Sequence, residues 1–381
     1  MKIGLFSYET PPDIGGGHIF RDELEKAATQ LKGRHQFVMV NVPPPTTAYR
    51  IRRRLRAHLD PSLYTSPPVS EMLRAEVARL ELDLLWFNHA EPVYLGLPYV
   101  LNIFDLQHRL QPWFPEVSAN GEWEHRESYL EKATKRAAMI TVGSREAKDQ
   151  LCHFYGVFPD NVHVLPLPTP QRAIDLALGK SPTPTIKNIR EKYGIKNEFL
   201  FYPAQFWPHK NHANLLHALK ILKDQKGTDI SLVLTGSDQG NLSHIQSVAK
   251  DLGLTDNVHF CGFVPHEDVM AFYREALALS FVSFFGPENL PPLEAMALGC
   301  PVILSDIPGV RDLFDDVPIL VNPRSPQSIA DGIEGLLQNP GQIPERVDAG
   351  KRIAIRNDAS AYFAQFQDML DGFETIRRCW P

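Results

Sequence analysis

A lysine, two glutamates and a histidine stand at loop ends where this chain could do chemistry. Lys210 lies in Ala204-Gln205-Phe206-Trp207-Pro208-His209-Lys210-Asn211-His212, after the apolar run Phe199 to Pro203 and before a helical pattern from about Ala213 to Lys223. An ammonium beside the free N–H groups that open a helix is a seat for a diphosphate. Glu288 and Glu294 lie between Phe284 and Pro301. Pro291 and Pro292 have a φ suited to a first helical turn, Leu293 to Leu298 favour helix, and Gly299 and Pro301 stop it. Amides near Asn289 and Leu290 would then face an anion, and Glu294, one turn in, could accept hydrogen bonds from ribose hydroxyls. The alternative is that Glu294 only complements the helix dipole. His108 closes Asp105-Leu106-Gln107-His108, with Pro112-Trp113-Phe114-Pro115-Glu116 following. Just past a strand it could hold a sugar hydroxyl or a phosphate oxygen, though a lone loop histidine can equally be structural. Asp105 could orient it, or cap the next turn.

These loops need elements to carry them. Lys2–Tyr8, Gln36–Val42, Leu82–Phe87, Pro98–Ile103, Ala138–Val142 and Val162–Leu167 read as short strands alternating with helical stretches. Phe199–Pro203, Ile230–Gly236, Val258–Phe263, Ala276–Phe285 and Cys300–Ser305 do the same in the second half. The alternation predicts an α/β protein with doubly wound parallel sheets. Gly15-Gly16-Gly17 separates the first strand from a helix over about His18 to Leu31, letting backbone approach a ligand closely. It is not G-x-G-x-x-G, so it does not predict a dinucleotide site. Ser144 reads as an N-cap, and Asp268 to Leu279 as a helix. The stretch Pro166 to Ile195, with Pro166, Pro168, Pro170, Pro182 and Pro184, is the clearest compositional break. It divides a domain over 1–168 from one over 196–357, with 169–195 as linker.

With 381 residues the chain suits two domains. A net charge of -6 argues against a general nucleic-acid partner. Cys152, Cys261, Cys300 and Cys379 are far apart, which argues against zinc and a disulfide framework and favours a reducing compartment. The first apolar run is too short for a secretory signal, and no segment reaches the roughly 20 apolar residues of a membrane span. The expectation is a cytoplasmic protein. Arg50-Ile51-Arg52-Arg53-Arg54-Leu55-Arg56 is the one basic cluster. It is either a solvated helix face or a dock for an anionic membrane face or a lipid-diphosphate acceptor.

The run LPPLEAMALGCPVI, Leu290 to Ile303, resembles the signature loop and helix of family 4 glycosyltransferases, retaining enzymes of the GT-B fold. The resemblance implies two Rossmann-like domains facing a cleft, and a closing helix over 358–381 packed back on the first. It makes Glu294 the ribose ligand. The partner glutamate of the family pattern falls on Gly286, and Glu288, two positions later, is the candidate substitute. Asp105–His108 resembles a family loop whose leading histidine is Phe104 here, while His108 matches. Of an Arg and a Lys on the donor phosphates, Lys210 matches and Gln205 stands for the Arg; Arg274 or His209 could compensate. Gly262-Phe263-Val264-Pro265 resembles the loop whose backbone contacts the nucleobase, and Ser144 and Arg145 an element that faces the cleft.

The implied catalytic set is His108, Lys210 and Glu288. The implied nucleotide-sugar contacts are Gly16, Gly17, Gln205, Lys210, Phe263, Val264, Asn289, Leu290 and Glu294. The implied reaction moves a hexosyl-type group from a GDP- or UDP-sugar to a saccharide or lipid-linked saccharide, in cell-surface polysaccharide synthesis. No Asp-x-Asp pair ends a strand, so neither a metal nor a cofactor beyond the donor is expected. Glu294→Ala should weaken nucleotide binding and leave the fold intact. Two other readings stand beside this one: a nucleotide-sugar epimerase or hydrolase on the same scaffold, and a non-catalytic sugar-nucleotide-binding protein. The departures at Gly286, Gln205 and Phe104 favour the last.

Overall fold

The computed structural model describes residues 1–7, 16–30, 33–40, 68–89, 94–181 and 189–380. The Arg50–Arg56 cluster lies outside the described residues. The first half runs β1 (Lys2–Ser7), α1 (Gly16–Gln30), β2 (Gln36–Met39), α2 (Pro68–Leu80), β3 (Leu84–His89) and β4 (Tyr99–Asn102). It continues through α3 (Gln107–Leu110), α4 (Pro115–Ser118), α5 (Glu122–Thr134), β5 (Met139–Val142), α6 (Arg145–Tyr155) and β6 (Val162–Val164). The helices α7 (Gln171–Ala177) and α8 (Ile189–Tyr193) connect it to the second half. There β7 (Phe199–Pro203), α9 (His212–Lys226), β8 (Ser231–Thr235), α10 (Leu242–Asp251), β9 (Val258–Gly262), α11 (His266–Glu275) and β10 (Ala278–Phe281) follow. The chain ends with α12 (Leu290–Ala297), β11 (Val302–Ser305), α13 (Val310–Phe314), β12 (Ile319–Val321), α14 (Pro326–Gln338), α15 (Ile343–Arg356) and α16 (Ala359–Arg377).

The strands form two six-stranded sheets, ordered β2-β1-β3-β4-β5-β6 and β12-β11-β10-β7-β8-β9. All pairings are parallel. Helices cover both faces, so β5, β8, β10 and β11 are buried along their whole length and read as mainly apolar runs with an occasional Ser or Thr. In the second sheet the strand order reverses between β7 and β10. Ligands of such sheets bind in the crevice beyond the strand ends at that reversal. The loops there are Ala204–Asn211 and Val282–Asn289, the two that carry Lys210 and Glu288.

Two predicted elements end earlier than their composition suggests. The apolar run to Phe285 is strand only to Phe281, because Ser283 turns the chain. Its hydroxyl donates to the Phe285 carbonyl at 2.7 Å, and Gly286 adopts a left-handed φ of 87°. Likewise α11 stops at Glu275, since Ala278 and Leu279 are taken by β10, opposite Leu200 and Phe201 of β7.

The last helix returns to the first sheet. Tyr362, Phe363, Phe366, Met369 and Leu370 of α16 share a core with Ile3, Leu5 and Trp86. Phe366 lies 4.2 Å from Trp86 between ring centroids, and such a pair adds about 1 kcal/mol beyond its burial. The Arg377 guanidinium donates to the Asp83 carbonyl at 3.1 Å. The last helix thereby stitches the second half to the first.

Candidate active site

A cavity of about 470 Å³ lies between the two halves. The first half lines it with the loop after β4, helix α3, Trp113 and the start of α6. The second half supplies His209, Lys210, Phe284 to Asn289, Ile307, Pro308, Pro323 and Arg324.

Lys210 is held from below. Tyr202 on β7 donates its hydroxyl to the Lys210 carbonyl at 2.6 Å, and Asn211, left-handed at φ 61°, donates to the Val282 and Pro323 carbonyls at 2.8 Å each. The Lys210 ammonium donates to Asn289 Oδ1 at 3.3 Å and stands 5.2 Å from the Phe281 ring centroid. Among the described residues it makes no ion pair. Burial drives its pKa down to about 8, with Asp105 and Glu116 opposing from a distance. A half-buried cation with one neutral acceptor, beside the first turns of α9 and α12, is placed to receive an anion.

Glu288 crosses the cleft. Its carboxyl is hydrogen-bonded by the Ser144 hydroxyl and the Gly143 amide of the first half. Glycine permits this approach, because a Cβ at 143 would fall on Glu288 Oε2 and displace the carboxyl. Ser144 also caps α6, accepting from the Ala147 amide at 3.2 Å. Burial raises Glu288 to about 7 against those two donors. A carboxyl that titrates near neutrality in a cleft can give or take a proton.

His209 and Glu116 form a second bridge. His209 Nδ1 lies 2.5 Å from Glu116 Oε1, which also accepts from the His209 amide at 3.1 Å. The Phe114 ring stacks on Phe284 at 6.0 Å, and the Gln111 amide donates to the Phe284 carbonyl at 3.0 Å. Burial lowers the pKa of His209. Burial alone would raise Glu116, but the His209 bonds hold it below its ordinary range.

Other predicted residues fall elsewhere. His108 does not line the cavity. It is fully buried, with Nε2 2.8 Å from Glu127 Oε1 and 3.0 Å from the Tyr155 hydroxyl. Burial, then the charge of Arg126, lowers its pKa. The apolar neighbours Tyr155 and Trp123 close over it, so α3 turns the ring inward and presents Gln107 instead. Asp105 does line the cavity but is held by Arg126 at 2.6 Å; burial would raise its pKa, and Arg126 outweighs this.

Glu294 is 4% exposed and outside the cavity lining, paired with Arg172 at 3.0 Å and with the Tyr273 hydroxyl at 3.1 Å. The carboxylate ties α7 to α11 and α12, so Glu294→Ala is expected to cost stability as well as nucleotide binding. Gln205 donates to Ser237 at 3.1 Å and accepts from Trp207 at 3.0 Å. Phe263 is exposed and Val264 buried at the end of β9, and Leu290 is buried at the start of α12. Gly16 and Gly17 form the first turn of α1. Arg274 and Arg145 are exposed. Arg172, Gln111 and the Glu116 pairing carried no sequence motif, because their partners are distant in the chain.

Two family models divide the chain. Residues 185–354 match that of the glycosyl transferases group 1, and residues 14–170 match that of glycosyltransferase family 4. The chain belongs to the family 4 glycosyltransferases. The O-antigen chain mannosyltransferase RfbU of Salmonella typhimurium is 28% identical over 214 residues, 56% of this chain and 55% of that protein. The match thus spans about half the length of that relative. The MMP alpha-(1->4)-mannosyltransferase of Mycolicibacterium hassiacum is 25% identical over 403 residues, 93% of this chain and 94% of that protein. The crystal structure of Anabaena HepE in complex with UDP superposes with a TM-score of 0.70 at 18% identity, covering 98% of this chain and all of that one. The fold is GT-B.

As a family 4 glycosyltransferase the chain departs from the family pattern at three places with visible structural consequences. At Gly286 the left-handed φ strains any side chain, and a Cβ would sit tightly, 3.1 Å from the Asn289 side chain. Glu288, two positions later, lines the cavity. Phe104 packs edge-on against Phe20 at 5.3 Å, an apolar contact in place of an imidazole. Gln205 leaves Lys210 as the half-buried cation of its loop.

Proposed function

We propose that this protein transfers a hexosyl-type group from a nucleoside-diphosphate sugar to a saccharide hydroxyl. The observation that carries the reading is Lys210, a half-buried ammonium with only a neutral acceptor, next to two helix N-termini at the strand reversal of the second sheet. In transfer the bond from the sugar anomeric carbon to the diphosphate oxygen breaks and the electron pair leaves on the nucleoside diphosphate. The acceptor oxygen bonds that carbon and its proton passes to the departing diphosphate. Lys210 and the amides of Asn289 and Leu290 stabilise the charge that develops there, already in place before reaction. Glu288 is the carboxyl nearest this centre in role, able to steady positive charge on the sugar or relay the proton. Glu294 would reach the ribose only by sharing its bonds to Arg172 and Tyr273. Lys210 supplies the positive charge a metal would otherwise bring, so the reaction is proposed to be metal-independent, and retention of configuration follows from the family resemblance. The mannosyltransferase relatives favour a cell-surface polysaccharide or a related glycan as product.

The test is a thermal-shift panel of UDP-, GDP-, ADP- and dTDP-sugars with and without Mg²⁺, on wild type and Lys210→Ala. A ligand for the native state raises its apparent stability. One base class should stabilise wild type and not the variant, independently of Mg²⁺. Equal shifts in both proteins would remove Lys210 from the site, and no shift with any nucleotide would overturn the reading.

A further inference from the structure

One cation on the cavity wall has no task within the folded chain. Arg324 lines the cavity from the loop after β12 and is exposed. Among the described residues its guanidinium makes no hydrogen bond and no ion pair, and Lys210 is the only other lysine or arginine on that wall. The loop itself is satisfied from within. The Arg324 amide donates to Asn322 Oδ1 at 3.0 Å, the Asn322 amide donates to the Ser328 hydroxyl at 3.0 Å, and Ser325 caps α14 by accepting from the Ser328 amide at 3.1 Å. What this loop offers the cleft is therefore a side chain, a planar fork of N–H donors on a flexible stem.

That loop is tied to the one that carries Lys210. The Pro323 carbonyl accepts from the Asn211 side-chain amide at 2.8 Å and from that of Asn214 at 3.0 Å. Asn211 follows Lys210 and Arg324 follows Pro323, so the two cations leave the backbone beside opposite ends of one hydrogen bond. In the free protein they do not crowd each other, for the charges that act on Lys210 are those of Asp105 and Glu116. Nearby alternatives are already engaged: His209 is paired with Glu116, and the uncharged Gln205 bonds Ser237 and Trp207. A leaving nucleoside diphosphate gains negative charge as its bond to the sugar breaks, and a single ammonium neutralises only part of it. A guanidinium suits the rest, because two of its N–H groups can bond two phosphate oxygens at once.

We propose that Arg324 is the second cation of the donor site, closing on the diphosphate from the loop after β12 while Lys210 holds it from the loop after β7. This rests on the transferase reading and adds a binding residue that no sequence motif marked. Arg324 is exposed in the free chain, so it moves onto the anion rather than waiting buried beside it. Its contribution therefore falls on affinity for the diphosphate and not on the stability of the free protein.

The experiment uses the full chain without Mg²⁺. UDP, GDP, uridine, guanosine and inorganic diphosphate are titrated by calorimetry into wild type, Arg324→Gln and Arg324→Lys. Arg324→Gln should weaken the preferred nucleoside diphosphate and inorganic diphosphate about tenfold or more, and leave the matching nucleoside within about twofold. It should melt as wild type does, since the side chain it replaces is exposed and unpaired. Arg324→Lys should recover part of the loss, restoring the charge without the fork. Equal diphosphate binding by wild type and Arg324→Gln would overturn the proposal. So would an equal loss for the nucleoside, which would mean a disturbed loop rather than a lost charge contact. Failure of wild type to bind any nucleotide would instead remove the transferase reading, and inorganic diphosphate would still decide whether Arg324 meets an anion.

Discussion

Glu288 of the second half accepts hydrogen bonds from Ser144 of the first, and the same Ser144 hydroxyl caps helix α6. One hydroxyl therefore couples the lip of the donor loop to the rigid start of a helix across the cleft. Glycine at 143 is what permits the approach. The candidate catalytic carboxyl is thus also an inter-domain contact, and its protonation should be felt by both functions.

Burial raises the Glu288 carboxyl from an ordinary 4.5 to about 7. Between those values the folded state holds the proton and the unfolded chain does not, so stability falls as pH rises through that window. The shift corresponds to roughly 3 kcal/mol at most, and cavity water reduces it to the order of 2 kcal/mol. Melting curves from pH 5 to 8 should fall more steeply for wild type than for Glu288→Gln. Parallel curves would mean that the carboxyl is not held as described.

Gly143→Ala should push the Glu288 carboxylate off Ser144 while leaving the backbone in place, since the colliding atoms are the far end of a side chain. Its effects on stability and transfer should overlap those of Glu288→Ala, giving a coupling of about 1 kcal/mol or more in a double-mutant cycle. Strict additivity would show that the two residues act separately.

Lys210 has its pKa lowered by burial to about 8. From pH 8 to 10.5 the unfolded chain binds the proton and the folded one does not, so stability rises with pH there, and below 8 the full penalty is present. Lys210→Met should remove a penalty of roughly 3 kcal/mol, raising the melting temperature of the free protein by a few degrees. It should also abolish the nucleotide-induced shift. A variant that melts lower, or still responds to nucleotide, contradicts this assignment.

His108 is expected to behave as a core residue. His108→Ala removes a partner from Glu127 and Tyr155 and opens a void, costing about 2 to 3 kcal/mol. Nucleotide binding should survive at temperatures where the variant is folded. A fully stable variant with no transferase activity would return His108 to the catalytic set.

Glu294→Ala leaves the Arg172 guanidinium and the Tyr273 hydroxyl without their carboxylate. Breaking a buried pair from one side costs about 3 kcal/mol, so both chemical denaturation and nucleotide binding should weaken. Glu294→Gln should recover part of the stability through Tyr273. If the alanine variant melts as wild type does, the pairing is not holding α7 to the second half.

Much of the architecture was legible from the chain alone. Buried parallel strands are written as short apolar runs and helices as longer periodic stretches, so the alternation itself implied two doubly wound sheets. Proline and glycine around α12 act through local φ preferences, and Ser144 caps α6 through a bond three residues long. All of these are short-range physics, recoverable from spacing. Lys210 was legible from its place between a strand and a helix, whereas Glu288 came to notice only through the family resemblance, as the carboxyl two positions after Gly286.

What only the tertiary structure decided were the pairings over long separations. Nothing near His108 in the chain says that Glu127 and Tyr155 will enclose it, and nothing near Glu294 says that Arg172 will arrive from the linker. The hold of Asn211 and Asn214 on the Pro323 carbonyl, the Glu116 bridge to His209 and the reach of Glu288 to Ser144 arise in the same way. Burial and partner choice depend on which surfaces the two sheets bring together, and that is a property of the assembled fold rather than of any local stretch.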